Sequence, residues 1–171
     1  MRNNRYIVQY YVEGDNEEKL INTLKSKLCV IIPGKVQKFN VIEREITDAR
    51  LRTLAPKTIV VLVFDTDTGQ RAILDRNIKK LKSCSSVSDV IMVPQVPNLE
   101  GELIRCCSIK NITELLNCKS IDDFKRDFNK VTNLDQKLLD HSFDISLIWS
   151  KSPPPPYQNI PNQSAHIKLI K

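Results

Sequence analysis

Apolar positions along the chain follow two kinds of pattern, and their alternation predicts the architecture. Residues 5–12 (RYIVQYYV) are rich in β-branched and aromatic side chains and read as a strand. A polar turn, EGDNEE, follows, and then Leu20, Ile21, Leu24 and Leu28 recur at helical spacing, with Asp15 and Glu18 placed as a capping box. Ile31-Ile32-Pro33-Gly34 breaks that helix. Residues 35–42 predict a second strand and 43–54 a second helix, which Pro56 ends. Residues 58–64 (TIVVLVF) are apolar without alternation, as expected of a central parallel strand covered on both faces. The turn Asp65-Thr66-Asp67-Thr68-Gly69 comes next, and a helix starts near Gln70 with Ile73, Leu74, Ile78 and Leu81 facing inward. After a polar linker at 83–88, residues 89–93 predict a fourth strand.

Repeated strand–helix units imply an α/β fold: a mostly parallel sheet of about four strands, sandwiched by helices and joined by right-handed crossovers. Beyond Pro94 and Pro97 the pattern turns helical, at 99–107, 111–118, 120–131 and 133–141. Ser120 and Asp123 form a second capping box, and Phe124 and Phe128 share one helical face. Pro153–Pro156 can be neither helix nor central strand. The chain thus divides into an α/β core (1–97), a helical extension packed on it (98–150) and a proline-rich C-terminal tail (151–171).

Charge narrows the partners. The 26 Lys and Arg against 20 Asp and Glu leave +6, which favours polyanions such as nucleic acid, although a basic surface also serves solubility alone. Five cysteines, with no CxxC pair and two of them adjacent, argue against structural zinc and for reduced thiols. No secretory leader opens the chain and no apolar run is long enough for a bilayer, so the expectation is a cytoplasmic protein with no membrane partner. No Walker loop, GxGxxG turn or Ser–His–Asp arrangement is present.

The chemistry-bearing residues are acidic. Glu13 closes the first predicted strand, and Asp65 and Asp67 close the most apolar one. Ligands of open parallel sheets bind beyond the carboxyl ends of the strands. If those two strands are neighbours, three carboxylates converge there, and their mutual repulsion calls for a cation or a proton. Mg²⁺ suits such hard oxygen ligands. The same residue types cap helices, so Asp15, Asn16 and Asp67 have that second use.

Val12-Glu13-Gly14 with Asn16-Glu17, followed by a hydrophobic strand into Asp65-Thr66-Asp67, resembles the Toprim signature. The resemblance covers roughly residues 5–97 and is closest to the small RloB-like and OLD-type Toprim nucleases. It implies a Toprim-like fold in which Asp65 and Asp67 hold Mg²⁺ or Mn²⁺ and Glu13 has a metal or general acid–base role. It further implies hydrolysis of phosphodiester bonds in DNA or RNA and a phage-defence setting; a companion ATPase is left open, and a small basic nuclease is compatible with a homodimer. Nuclease members use further acids, for which Glu100 and Glu102 are the candidates; their alternative role is favourable charge at a helix N-terminus. Lys151 is the candidate cation late in the chain, with an ordinary solvated lysine as its alternative. Arg71 and Arg76 follow the acidic turn and are candidate nucleic-acid contacts, and Trp149 is expected to seal the core. The competing reading is a non-catalytic Toprim-fold module that binds nucleic acid or a partner protein. A haloacid-dehalogenase phosphatase fits less well, because Gly69 stands where its motif has Thr or Val and the motif lies on the third strand.

Overall fold

The computed structural model describes residues 6–169, so Arg5, the predicted start of the first strand, lies outside the described residues. The β-branched segments form strands β1 (Ile7–Val12), β2 (Lys35–Lys38), β3 (Thr58–Asp65) and β4 (Val87–Gln95). The helices are α1 (Asp15–Ser26), α2 (Asp48–Arg52), α3 (Ala72–Lys82), α4 (Leu99–Cys106), α5 (Ile121–Lys130) and α6 (Leu134–Asp140). All strand pairs are parallel, in the order β2-β1-β3-β4. From β1 the chain first adds a strand on one side and then two on the other. The order therefore reverses between β1 and β3, which makes that gap the topological switch point of the sheet.

Period-two alternation distributes the strand side chains to two cores. Tyr10, Val12, Val61, Val63, Ile91 and Val93 face one, together with Leu20, Ile21 and Leu24 of α1 and the buried residues of α4, α5 and α6. Tyr11, Val60, Leu62, Phe64, Val90 and Met92 face the other, with Leu74 and Leu81 of α3. Val60 to Phe64 are each at most 1% exposed, which explains the unbroken apolar run. Trp149 is buried in the first core, and Phe124 and Phe128 pack there as a tilted pair with ring centroids 5.2 Å apart. All five cysteines are free.

Several elements differ from the expected ones for identifiable reasons. The helix expected over 43–54 shrinks to α2. Its first half is an irregular loop, because the Asn40 Oδ1 accepts the N–H groups of Ile42 and Glu43 in a tight turn. Buried Asn77 of α3 then holds that loop, donating to the carbonyls of Val41 and Arg44 and accepting from the Ile46 N–H. β2 accordingly stops at Lys38, four residues short of expectation, whereas β4 extends beyond both ends of its predicted range. The segment 111–118 makes only a 3₁₀ turn, Ile112–Leu115. The cap of α1 is formed by Gly14 and Glu17 rather than by Asp15 and Glu18: the Glu17 carboxylate accepts the Gly14 N–H at 2.9 Å. Ser120 does cap α5, accepting from the Asp123 N–H.

The proline-rich tail folds back over the sheet. Tyr157 is buried in the second core, and the Gln163 side chain and backbone satisfy the Met92 N–H and carbonyl on the outer edge of β4. Farther on, Ile167 and Leu169 pair with Ile32 and Val30. Among the described residues, no helix is long and apolar enough to cross a membrane.

Candidate functional site

The acids meet because β1 and β3 are adjacent and in register, Tyr11 beside Leu62, so both strands end at the same edge of the sheet. Glu13 lies one residue past β1 and Asp65 is the last residue of β3. The Asp65 N–H donates to Glu13 Oε2 at 3.4 Å, tying the two strand ends together. Gly14 caps α1, which begins at Asp15, and the bond from the Gly14 N–H turns the Glu17 carboxylate back to the same place. A Cβ at Gly14 would stand 3.2 Å from Glu17 Oε2, so a larger residue would crowd this carboxylate. Glu100, in the first turn of α4, completes the group. Together Glu13, Glu17, Asp65 and Glu100 line a cavity of about 310 Å³ at the switch point, with Asn16 beside them.

This clustering is electrostatically costly. Burial, followed by the repulsion of Glu13, Glu17, Asp67 and Glu100, pushes the Asp65 carboxyl up to about 9. Burial also raises Glu13, partly offset by the hydrogen bond from the Asp65 N–H, and raises Glu17. Asp65 Oδ1 and Asn16 Oδ1 are buried with no hydrogen-bond partner. An unsatisfied buried acceptor costs about 1–3 kcal/mol, more when charged. The donor set is hard oxygen, with the carboxylates of Glu13, Glu17, Asp65 and Glu100 lining the cavity.

Of the residues singled out in the sequence, Glu13, Asp65 and Glu100 line this cavity. Asp67 does not line it; it is exposed and accepts from the Asn98 side chain at 3.0 Å, within electrostatic reach of Asp65. Between them, Thr66 is anchored inward through its N–H and hydroxyl to the Gln95 carbonyl.

Glu102 does not reach the cavity. It is fully buried and accepts from the Val96 N–H at 2.7 Å, the Trp149 N–H at 2.6 Å and the Arg105 guanidinium at 2.5 Å. Two residues along a helix turn the side chain by about 200°, so Glu100 and Glu102 point to opposite sides of α4. Lys151 is exposed, does not line the cavity, and offers its carbonyl to Asn162. Arg71 is paired with Asp75 at 2.9 Å and donates to the Pro156 carbonyl at 3.0 Å, and Arg76 is paired with Glu45 at 2.7 Å.

The cation that borders the cavity is instead Lys125 of α5, 3.4 Å from Glu100 Oε1, with Asn129 one turn farther along the same helix. Sequence reasoning missed both, because their only signal was position on the polar side of an amphipathic helix whose packing partner was unknown. It also gave Glu17 no role in the site, although its place three residues after Gly14 is a capping spacing.

Among the described residues, no three His, Cys, Asp or Glu side chains stand in a ready-made metal-binding array. Mg²⁺ is ordinarily held by one or two carboxylates plus water and substrate phosphate, so the buried Asp65 oxygen beside Glu13 suits such an ion without a closed protein cage. The chain matches no protein-family model, no curated protein and no solved structure.

Proposed function

We propose that this protein is a Toprim-type, Mg²⁺- or Mn²⁺-dependent phosphodiesterase acting on nucleic acid. The observation that carries the reading is the buried, unpartnered Asp65 oxygen, ringed by Glu13, Glu17 and Glu100 where the strand order reverses. Asp65 and Glu13 would hold the ion, with Asp67 and Glu100 supplying negative charge nearby. When bound, such an ion lowers the pKa of water and stabilises charge on phosphate oxygens. Burial raises the Glu13 carboxyl above its ordinary value, partly offset by the hydrogen bond from the Asp65 N–H. The Toprim resemblance allows Glu13 a general acid–base role as the alternative to holding the ion. The net charge of +6 favours a polyanionic substrate.

The test is cleavage of single- and double-stranded DNA and RNA with Mg²⁺, Mn²⁺ or EDTA, with the Asp65→Ala/Asp67→Ala variant alongside. The expected result is cleavage that needs the metal and disappears in the variant. Salt-sensitive binding with no cleavage under any condition would overturn the enzyme and leave a binding module. Cleavage undiminished in the variant would move the chemistry elsewhere.

A further inference from the structure

Charge is unevenly placed on the two sides of the sheet. Residues 43–57 and 71–82, which give Ile46, Leu54, Leu74 and Leu81 to the second core, hold nine Lys and Arg against four Asp and Glu. Residues 15–26 and 99–140, the helical layer over the first core, hold nine against eleven. One layer therefore carries +5 and the other −2, within a total of +6. On the basic side, ion pairs use up the acids: Arg71 pairs with Asp75, Arg76 with Glu45 and Lys80 with Asp48. The fourth acid, Glu43, lies within electrostatic reach of Glu13, at the cavity end of this layer. Among the described residues, Arg44, Arg52, Lys79 and Lys82 are exposed and make no ion pair. They form one surface. Arg76, Lys79 and Lys82 follow at three-residue spacing along α3. The Lys80–Asp48 and Arg76–Glu45 pairs tie that helix to α2 and to the loop before it. Lys80, with Arg52 one turn beyond Asp48 as a further cation, holds the Asp48 carboxyl below its ordinary value.

We propose that the α2–α3 face is a docking surface for the phosphate backbone of nucleic acid, contacted by Arg44, Arg52, Lys79 and Lys82. None of these four lines the acidic cavity, so the surface is distinct from it, and its role does not depend on the cavity being catalytic. The choice of partner follows from what the face lacks. Among the described residues, no large apolar side chain is exposed on it. Helices that lie on a lipid surface insert apolar side chains beside their basic ones. Protein interfaces centre on buried aromatic or aliphatic anchors. This face offers fixed positive charge alone, which suits a partner whose negative charge repeats regularly. Contacts of that kind position the backbone and do not read the bases, so binding is independent of sequence.

The experiment is fluorescence anisotropy of the full chain in EDTA with labelled duplex DNA over a range of salt concentrations. Wild type is compared with Lys79→Gln/Lys82→Gln, Arg44→Gln/Arg52→Gln, all four together, and Lys27→Gln/Lys130→Gln on the opposite layer. The last variant removes two exposed charges from α1 and α5 and so controls for net charge. Four phosphate contacts predict a slope of about −3.6 for log K against log salt, and each pair removed reduces it by about 1.8. The fourfold variant is expected to approach zero slope, while the opposite-layer variant keeps that of wild type. An equal loss in the opposite-layer variant would show net charge acting without a defined surface and would overturn the proposal. So would absence of binding by wild type, or tighter binding of phosphatidylserine vesicles or polyglutamate than of DNA. Failure of the phosphodiesterase shows separately, as no cleavage by wild type when Mg²⁺ or Mn²⁺ is supplied.

Discussion

A carboxylate buried against its own kind makes the metal-free fold sensitive to pH. Asp65 has an ordinary value of 3.8 and is raised to about 9. Between these values the folded chain binds more protons at this residue than the unfolded chain does. Stability must therefore fall as pH rises from about 4 to about 9. Glu13 and Glu17 are shifted in the same direction. Thermal melting in EDTA is expected to show a decline in Tm from pH 5 to pH 8.5 that Asp65→Asn reduces. Mg²⁺ or Mn²⁺ should raise the wild-type Tm, more at pH 8 than at pH 5, and the Asn variant should lose most of that gain. A metal response equal in both proteins would place the ion away from Asp65. Two acids on α4 make the converse comparison. Glu102 is wholly buried with three partners, so Glu102→Ala strands Arg105 and two backbone N–H groups and should cost about 3–5 kcal/mol. Glu100→Ala removes a repelling charge and should change stability by no more than about 0.5 kcal/mol. Urea unfolding of the two variants separates these expectations.

At the scale of elements, the tail acts on the turn that follows β3. The Tyr157 hydroxyl bonds the Thr68 side chain at 2.7 Å and the Gln70 carbonyl at 2.6 Å, while Arg71 bonds the Pro156 carbonyl. Tyr157→Phe keeps the buried ring but frees the turn, at a cost of about 0.5–1.5 kcal/mol for the lost bonds. Amide hydrogen exchange should accelerate at 66–71 while β3 stays protected; acceleration spread evenly over the sheet would show that Tyr157 acts only by filling the core. These connections lie 85 or more positions apart in the chain, and no local pattern encodes them. β3 was legible because an apolar run of that length fits few environments. Residues 43–54 were misread because Asn77, from another element, satisfies backbone groups that would otherwise need a helix.

Across the whole molecule, local pattern determined the strand–helix alternation, the acids at two strand ends and the helical character of the segment from Leu99 to Asp140. Hydrophobic periodicity carries that information, since it specifies which face of each element must be buried. It does not specify the neighbour across that face. Only tertiary packing set β1 beside β3 and so brought Glu13 to Asp65. The docking of α5 against α1 likewise brought Lys125, rather than Lys151, to the cavity. Helical twist decided between Glu100 and Glu102, two similar acids two residues apart, by turning one into the cleft and the other into the core. Residue type and spacing are properties of the chain, but electrostatic environment depends on distances in space that only the folded chain creates.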